Sequence, residues 1–267
     1  MGKKLVVGQY IPGDSFIHKL DPRVKIFATV FFMVTVFMVN RILLYLPLFI
    51  YIFAVIKVCN IKFSTVIRGL KNLFIIILIT TIFNLALTPG RVALDLGFIQ
   101  ITYEGIERSI FIILRLSLLV MGTTLLTLTT SPMDLTYGLE KIFSPLKKIN
   151  FPVSEFALMI SIALRFIPTL YDEAEKIMNA QKSRGADFES GNIFNRAKSM
   201  IPLLVPLFLS SMERADDLAT AMEARCYRPG EYRTKLNDIA IGKIDIITMI
   251  GISFSFLLII FLGKLWW

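Results

Sequence analysis

Two arginines occupy matched places in a chain poor in charge. Ser183-Arg184-Gly185 closes one helix-like run, and Ala224-Arg225-Cys226 closes another 41 residues later (225 − 184). A guanidinium is a planar fork that can bridge several acceptors at once. Small neighbours such as Ser183, Gly185, Ala224 and Cys226 would let such a helix tip enter a narrow groove. A single instance would need no function, because a helix macrodipole favours arginine in the last turn and glycine is an ordinary residue just past a helix end. The recurrence carries more weight. At the same offset Asp172 meets Glu213, Ala174 meets Ala215, Glu175 meets Asp216, Ile177 meets Leu218 and Ala180 meets Ala221. Acids come early, small or apolar residues follow at helical spacing, and an arginine closes each copy. Two copies are too few for a solenoid. They suit one docking element presented twice to two similar partners.

Other chemistry is missing from the pattern. The chain contains no G-x-x-x-x-G-K-[ST], no G-x-S-x-G and no H-E-x-x-H. His18 is the one histidine, and the two cysteines, Cys59 and Cys226, are far apart, so neither a metal set nor a disulfide framework is expected. No catalytic residue and no cofactor are assigned to this chain. Arg115 is the main charge inside an apolar run; it faces other helices or lines a path, since lipid exposure would be costly. A proton-coupled carrier would more typically show intramembrane carboxylates. If the chain drives anything, the energy comes from another subunit.

The elements that must position these arginines belong to a membrane protein. Hydrophobic residues make up 55% of the 267 positions, with 22 phenylalanines and a mean hydropathy of +0.68. A span needs about 20 mostly apolar residues, and five runs meet or approach that length: 24–40, 42–58, 73–87, 109–130 and 244–262. The fold class expected is therefore an all-α polytopic membrane protein, with about five transmembrane helices plus a cytoplasmic or interfacial helical module. Residues 1–130 hold the N-terminal segment and spans one to four, 131–243 the module, and 244–267 the last span. The first 23 residues contain Pro12, Asp14, His18, Asp21 and Pro22, which is unlike a cleavable signal peptide. Pro89-Gly90 opens a loosely alternating stretch that reads as a short hairpin, and Thr102 reads as the start of the fourth helix.

The formal net charge is +9. The basic residues lie in loops and alternate with acids, so nucleic acid is not expected as a partner. They instead follow the positive-inside rule. The N-terminal segment, the second loop and the 131–243 region are rich in Lys and Arg, and five spans put all three on one side. That side is cytoplasmic, which places the C-terminus outside.

Within 131–243 three helices are expected: about 134–149 with Ser131 as N-cap, about 153–183 after Pro152, and about 193–225. The second and third start apolar and end amphipathic. Pro168, Pro202 and Pro206 lie in the apolar halves and should kink them. Such halves, still carrying Glu155 and Arg165, fit helices at the membrane surface that are partly covered by another membrane protein. A pair of further spans forming a re-entrant hairpin is the alternative.

These residues carry a family resemblance over essentially the whole chain. "SFIHKLDPRVKI" before the first span, "ITYEGI" before the fourth and "ALRFIPTL" in the module are similar to patterns of the transmembrane scaffold subunit, or T component, of energy-coupling factor (ECF) transporters. The two arginine motifs resemble that family's most specific feature, usually Ala-Arg-Gly; here Ser183 replaces the alanine of the first and Cys226 the glycine of the second. The resemblance implies a complex in the plasma membrane of a prokaryote. This chain would pair with two ATP-binding-cassette ATPases, which hold ATP and Mg, and with one substrate-binding membrane subunit, the S component. Arg184 and Arg225 would enter grooves on the two ATPases, and the apolar surface of the module would carry the substrate-binding subunit for uptake of a vitamin or micronutrient. A self-sufficient carrier or channel is the competing reading. The second motif's cysteine suggests that the helix end after Arg225 differs from that after Arg184.

Overall fold

The computed structural model describes residues 10–95, 100–188, 192–229 and 242–265. The described chain divides into two units, one of residues 10–138 with 242–265 and one of residues 139–229.

The first unit begins with a short helix, α1 (Phe16–Lys19), capped by Ser15. Asp21 then caps α2 (Pro22–Met38): its carboxylate accepts from the Arg23 N–H at 2.8 Å, and Pro22 fills the first helical position, where no donor is needed. A 3₁₀ turn (Ile42–Leu44) leads into α3 (Tyr45–Val58), so the two elements are joined by a tight connection. α4 (Phe63–Leu87) starts ten residues before the expected third span (73 − 63) and bends by 58° between Phe63–Lys71 and Leu73–Leu87. Its first limb carries Arg68 and Lys71, and its second is the apolar run. The Pro-Gly stretch forms the expected hairpin, β1 (Val92–Asp95) antiparallel to β2 (Gln100–Thr102). Thr102 accepts from the Gly105 N–H at 3.0 Å and starts α5 (Tyr103–Thr129). α10 (Lys243–Leu265) closes the unit.

α4 packs along α5, while α2 lies against α5 and α10. Phe32, Tyr51 and Phe256 meet at the centre, with centroids 5.8 Å apart for Phe32–Phe256 and 5.1 Å for Tyr51–Phe256. α5 can approach because residue 122 is glycine: a Cβ there would lie 2.9 Å from the Phe32 ring. The opposite faces of α4 and α10 expose Phe74, Ile75, Phe83, Ile247, Phe254 and Phe261. A helix apolar on its outer face as well as its inner one belongs in lipid. α5 and α10 are long and apolar enough to cross a bilayer, α4 is so if its two limbs count as one span, and α2 and residues 42–58 are shorter. This is a polytopic helical membrane protein.

Polar groups tie the helix ends together. Lys25 is 8% exposed and donates to the carbonyls of His18 (2.8 Å) and Thr129 (3.1 Å), the latter at the end of α5. Asp245, in the first turn of α10, accepts from the backbone N–H of Asp21 at 3.0 Å. Arg23 donates to the Tyr137 hydroxyl at 3.0 Å. Arg115 faces helices: it donates to the Tyr45 hydroxyl (3.2 Å) and the Val39 carbonyl (3.3 Å) and lies over the Phe37 ring.

The second unit holds the end of α6 (Pro132–Phe143), a 3₁₀ helix (Ser144–Ile149), α7 (Val153–Ser183), α8 (Ile193–Ser199) and α9 (Ile201–Ala224). Ser131 starts α6 as expected, accepting from the Asp134 N–H at 3.1 Å. The expected helix 134–149 tightens into 3₁₀ geometry because Pro145, at its first turn, removes an α-helical donor. The expected single helix 193–225 is two. It breaks at Met200 because Pro202 lacks an N–H and its ring would strike the carbonyl four residues earlier. Pro202 thus starts α9 and is not an interior kink, whereas Pro168 and Pro206 lie inside α7 and α9. α7 is also long and apolar enough to cross a bilayer.

Candidate functional site

Arg184 and Arg225 are the residues on which α7 and α9 end. In both, backbone N–H groups beyond the helix turn back onto its last carbonyls. Gly185 donates to Lys182 and Ala186 to Gln181, both at 3.0 Å; Cys226 donates to Glu223 at 2.8 Å and Tyr227 to Met222 at 2.9 Å. This is a Schellman motif written twice. It requires a left-handed residue just after the arginine, and Gly185 (φ 85°) and Cys226 (φ 56°) supply it. The two ends are therefore alike, against the expectation that cysteine would change the second. Cys226 accepts a conformation that disfavours any residue with a Cβ.

The motif changes what the arginines can be doing. The carbonyls of Gln181, Lys182, Met222 and Glu223 are already taken by backbone donors, so neither guanidinium is needed to cap them. Both side chains are exposed, and neither has a hydrogen bond or ion pair among the described residues. Ser183 folds back along its own helix, donating to the Asn179 carbonyl at 3.1 Å. Ala224 offers only a methyl. Each arginine thus projects past small neighbours from an ordered tip.

The two helices pack on each other, and the pairing is set by the repeat. Glu173 of α7 meets Arg214 of α9 in an ion pair, 41 residues apart (214 − 173), the same offset that relates the arginines. Ser210 donates to the second oxygen of the same carboxylate. The contact joins equivalent positions of the two copies, so each arginine lies 11 residues beyond it (184 − 173 and 225 − 214). At 1.5 Å per residue each arm is about 16 Å long. Glu173 and Arg214 were not singled out from sequence, although the alignment already placed opposite charges at that register.

Beside the ion pair the helices enclose a groove of about 270 Å³, lined by Ile162, Phe166 and Leu170 of α7 and Ala215, Leu218 and Met222 of α9. Ile177, matched to Leu218 in the repeat, does not line it. The N-terminal halves of both helices leave large apolar side chains uncovered, among them Phe156, Met159 and Ile160 on α7 and Val205, Phe208 and Leu209 on α9. Pro168 and Pro206 stand in those halves. No group of three or more His, Cys, Asp or Glu suited to a metal occurs among the described residues.

The family model described as cobalt transport protein, CbiQ, matches residues 13–236, which takes in α1 to α9 and both arginine ends. The chain belongs to this family. Within it, the chain is 48% identical over 249 residues to the energy-coupling factor transporter transmembrane protein EcfT of Thermosediminibacter oceani, covering 93% of this chain and 94% of that protein. It is 46% identical over 269 residues to the EcfT of Clostridium kluyveri, covering 100% and 99%. The EcfT of Bacillus subtilis is 42% identical over 236 residues, covering 88% and 89%. The family and the apolar helices together make this a multi-pass membrane component of a transport system.

Proposed function

We propose that the chain is the non-catalytic coupling subunit of an ATP-driven ECF importer, with Ser183-Arg184-Gly185 and Ala224-Arg225-Cys226 as its docking motifs for two ATP-binding-cassette ATPases. The observation that carries this reading is the pair of Schellman-ended helices, each presenting an unengaged arginine at the same distance from a shared crossing. A partner groove lined by acids would match such a tip, and two tips call for two grooves. The names of the EcfT relatives, which are transmembrane proteins of energy-coupling factor transporters, support the same assignment.

ATP and Mg belong to the ATPases in this reading, and the chain contributes motion and no chemistry. Closing or opening the ATPase pair would move the two arms about the Glu173–Ser210–Arg214 contact. The uncovered apolar halves of α7 and α9 would transmit that movement to a substrate-binding membrane subunit carrying a vitamin or micronutrient. The N-terminus and the region of the arginine helices face the cytoplasm, where ATP is, and the C-terminus lies outside. This placement rests on the distribution of Lys and Arg.

The test is assembly. Truncating a buried, hydrogen-bonded interfacial charge costs about 2–5 kcal/mol. Arg184→Ala with Arg225→Ala should therefore strip both ATPases from the purified complex and abolish ATP-driven uptake. Retention of both ATPases at wild-type yield would overturn the docking assignment. Solute flux in liposomes containing this chain alone would favour a self-sufficient carrier instead.

A further inference from the structure

The 3₁₀ helix Ser144–Ile149 lies outside both the arginine tips and the apolar halves of α7 and α9 on which the proposed function rests. A 3₁₀ helix has three residues per turn, so positions three apart eclipse on one face. Phe143, Leu146 and Ile149 share that spacing and form a single apolar ridge. The ridge is open: Phe143 is 48% exposed, Leu146 37% and Ile149 73%. Lys147 and Lys148 occupy the other two faces, and both are exposed. From Lys141 to Pro152 the chain carries three lysines and no acid. Asn150, in the left-handed region at φ 58°, ends the helix with N–H bonds to the carbonyls of Leu146 and Lys147. Phe151 then stacks on Phe156 at 5.3 Å, which adds further aromatic surface at the start of α7.

An apolar ridge with exposed lysines on the two adjoining faces is complementary to one kind of surface. Its side chains suit the boundary between headgroups and acyl chains, and its ammonium groups suit lipid phosphates. The two acids that flank the segment, Glu140 and Glu155, lie outside the 3₁₀ helix, and Glu140 accepts from the Ser154 hydroxyl at 3.3 Å, while Lys147 and Lys148 stand exposed on the helix itself. The chain is a multi-pass membrane protein, and this segment follows the fourth span after one short helix, so a bilayer is close at hand.

We infer that Phe143, Leu146 and Ile149 form an interfacial anchor that inserts into a bilayer containing anionic phospholipid, with Lys147 and Lys148 on its phosphates. The anchor fixes the start of α7 at the membrane surface. It requires only that the chain be a membrane protein and stands apart from the ATPase-docking reading.

A tryptophan reporter tests it. The full chain carrying Trp266→Phe, Trp267→Phe and Ile149→Trp is reconstituted into vesicles of phosphatidylcholine, alone or mixed with phosphatidylglycerol, with brominated acyl chains. The expected result is strong quenching of the reporter, stronger in the mixed vesicles, and weak quenching when the reporter is Lys148→Trp. Each lysine near an anionic surface changes partition roughly fivefold, so adding Lys147→Gln and Lys148→Gln should lower the quenching of the Ile149→Trp reporter in mixed vesicles. Phe143→Trp serves as a second reporter on the same ridge. An unquenched reporter that is instead accessible to aqueous acrylamide would overturn the anchor. Equal quenching with and without phosphatidylglycerol would overturn its anionic partner. Protection that arises only when a substrate-binding membrane subunit is added would make the ridge a protein interface and overturn the inference as well.

Discussion

The left-handed residue after each arginine gives a reciprocal pair of substitutions with opposite expected signs. Cys226 holds φ at 56°. A residue with a Cβ in that region is disfavoured by about 1–2 kcal/mol. Glycine would remove this strain but carries more freedom in the unfolded chain, which offsets about 0.5–1 kcal/mol. Cys226→Gly should therefore stabilise the last turn of α9 by about 0.5–1 kcal/mol. Gly185→Ala reverses the change at the end of α7. A Cβ built at Gly185 meets nothing within 4 Å, so the loss comes from backbone strain alone, without a clash. It should be about 0.5–1 kcal/mol as well. Amide hydrogen exchange followed by mass spectrometry reads the effect locally, because the donors are the N–H groups of residues 185, 186, 226 and 227. Opening of the α9 tip should become roughly two- to fivefold rarer in Cys226→Gly, and opening of the α7 tip correspondingly more frequent in Gly185→Ala. Faster exchange at residues 226 and 227 in Cys226→Gly would refute the matched Schellman ends.

Three further outcomes follow from named contacts. Reversing one member of the crossing ion pair, as Glu173→Arg or Arg214→Glu, should lower the melting temperature of the complex, and the double reversal should recover most of the loss; a double variant no better than the singles would contradict the pairing. Lys25→Met removes the donor to the carbonyls of His18 and Thr129 and should cost about 2–3 kcal/mol, seen as an earlier thermal transition, whereas an unchanged transition would show that the lysine does not tie α2 to α5. Burial holds the His18 pKa below its ordinary value of 6.5, with the positive charge of Lys25 adding to the effect and the Ile11 carbonyl and Asp14 opposing it. The ring donates Nε2–H to the Ile11 carbonyl and accepts from Ser15 at Nδ1 in its neutral form. Its lowered pKa means that the unfolded chain binds the proton more tightly, so this contribution to stability is present above about pH 6.5 and is lost as pH falls through that value toward the folded pKa. Melting between pH 7.5 and pH 5.5 should therefore shift less in His18→Gln than in the parent, and equal shifts would contradict it.

Much of this organisation is written in local chemistry. Pro152 and Gly185 bracket α7, whose bounds are those expected from sequence, and the caps at Ser131 and Thr102 act where their spacing placed them. The Pro89-Gly90 turn yielded a hairpin. In each case the signal lies within a few residues of the structure it specifies. What sequence did not disclose depends on partners distant in the chain or on competing local terms. Pro202 was expected to kink a continuous helix, but it tips the balance to a break at Met200. Cys226 was expected to change a helix end, yet the backbone bonds of the motif outweigh its Cβ strain. Arg115 left two readings open until Tyr45 and Val39 were seen to take its donors. Glu173 and Arg214 stood at matched repeat positions, but only the packing of α7 on α9 shows that equivalent positions touch.

The central claim is that two arginine-ended helices serve two ATPases. Site-specific photo-crosslinking from positions 183 and 224, within the assembled complex in its native membrane, addresses it most directly. Each position should crosslink to an ATPase chain, one ATPase per helix tip, and Arg184→Ala or Arg225→Ala should abolish only the crosslink of its own tip. Crosslinks from both tips to a single ATPase copy, or from neither tip to any ATPase, would contradict the account.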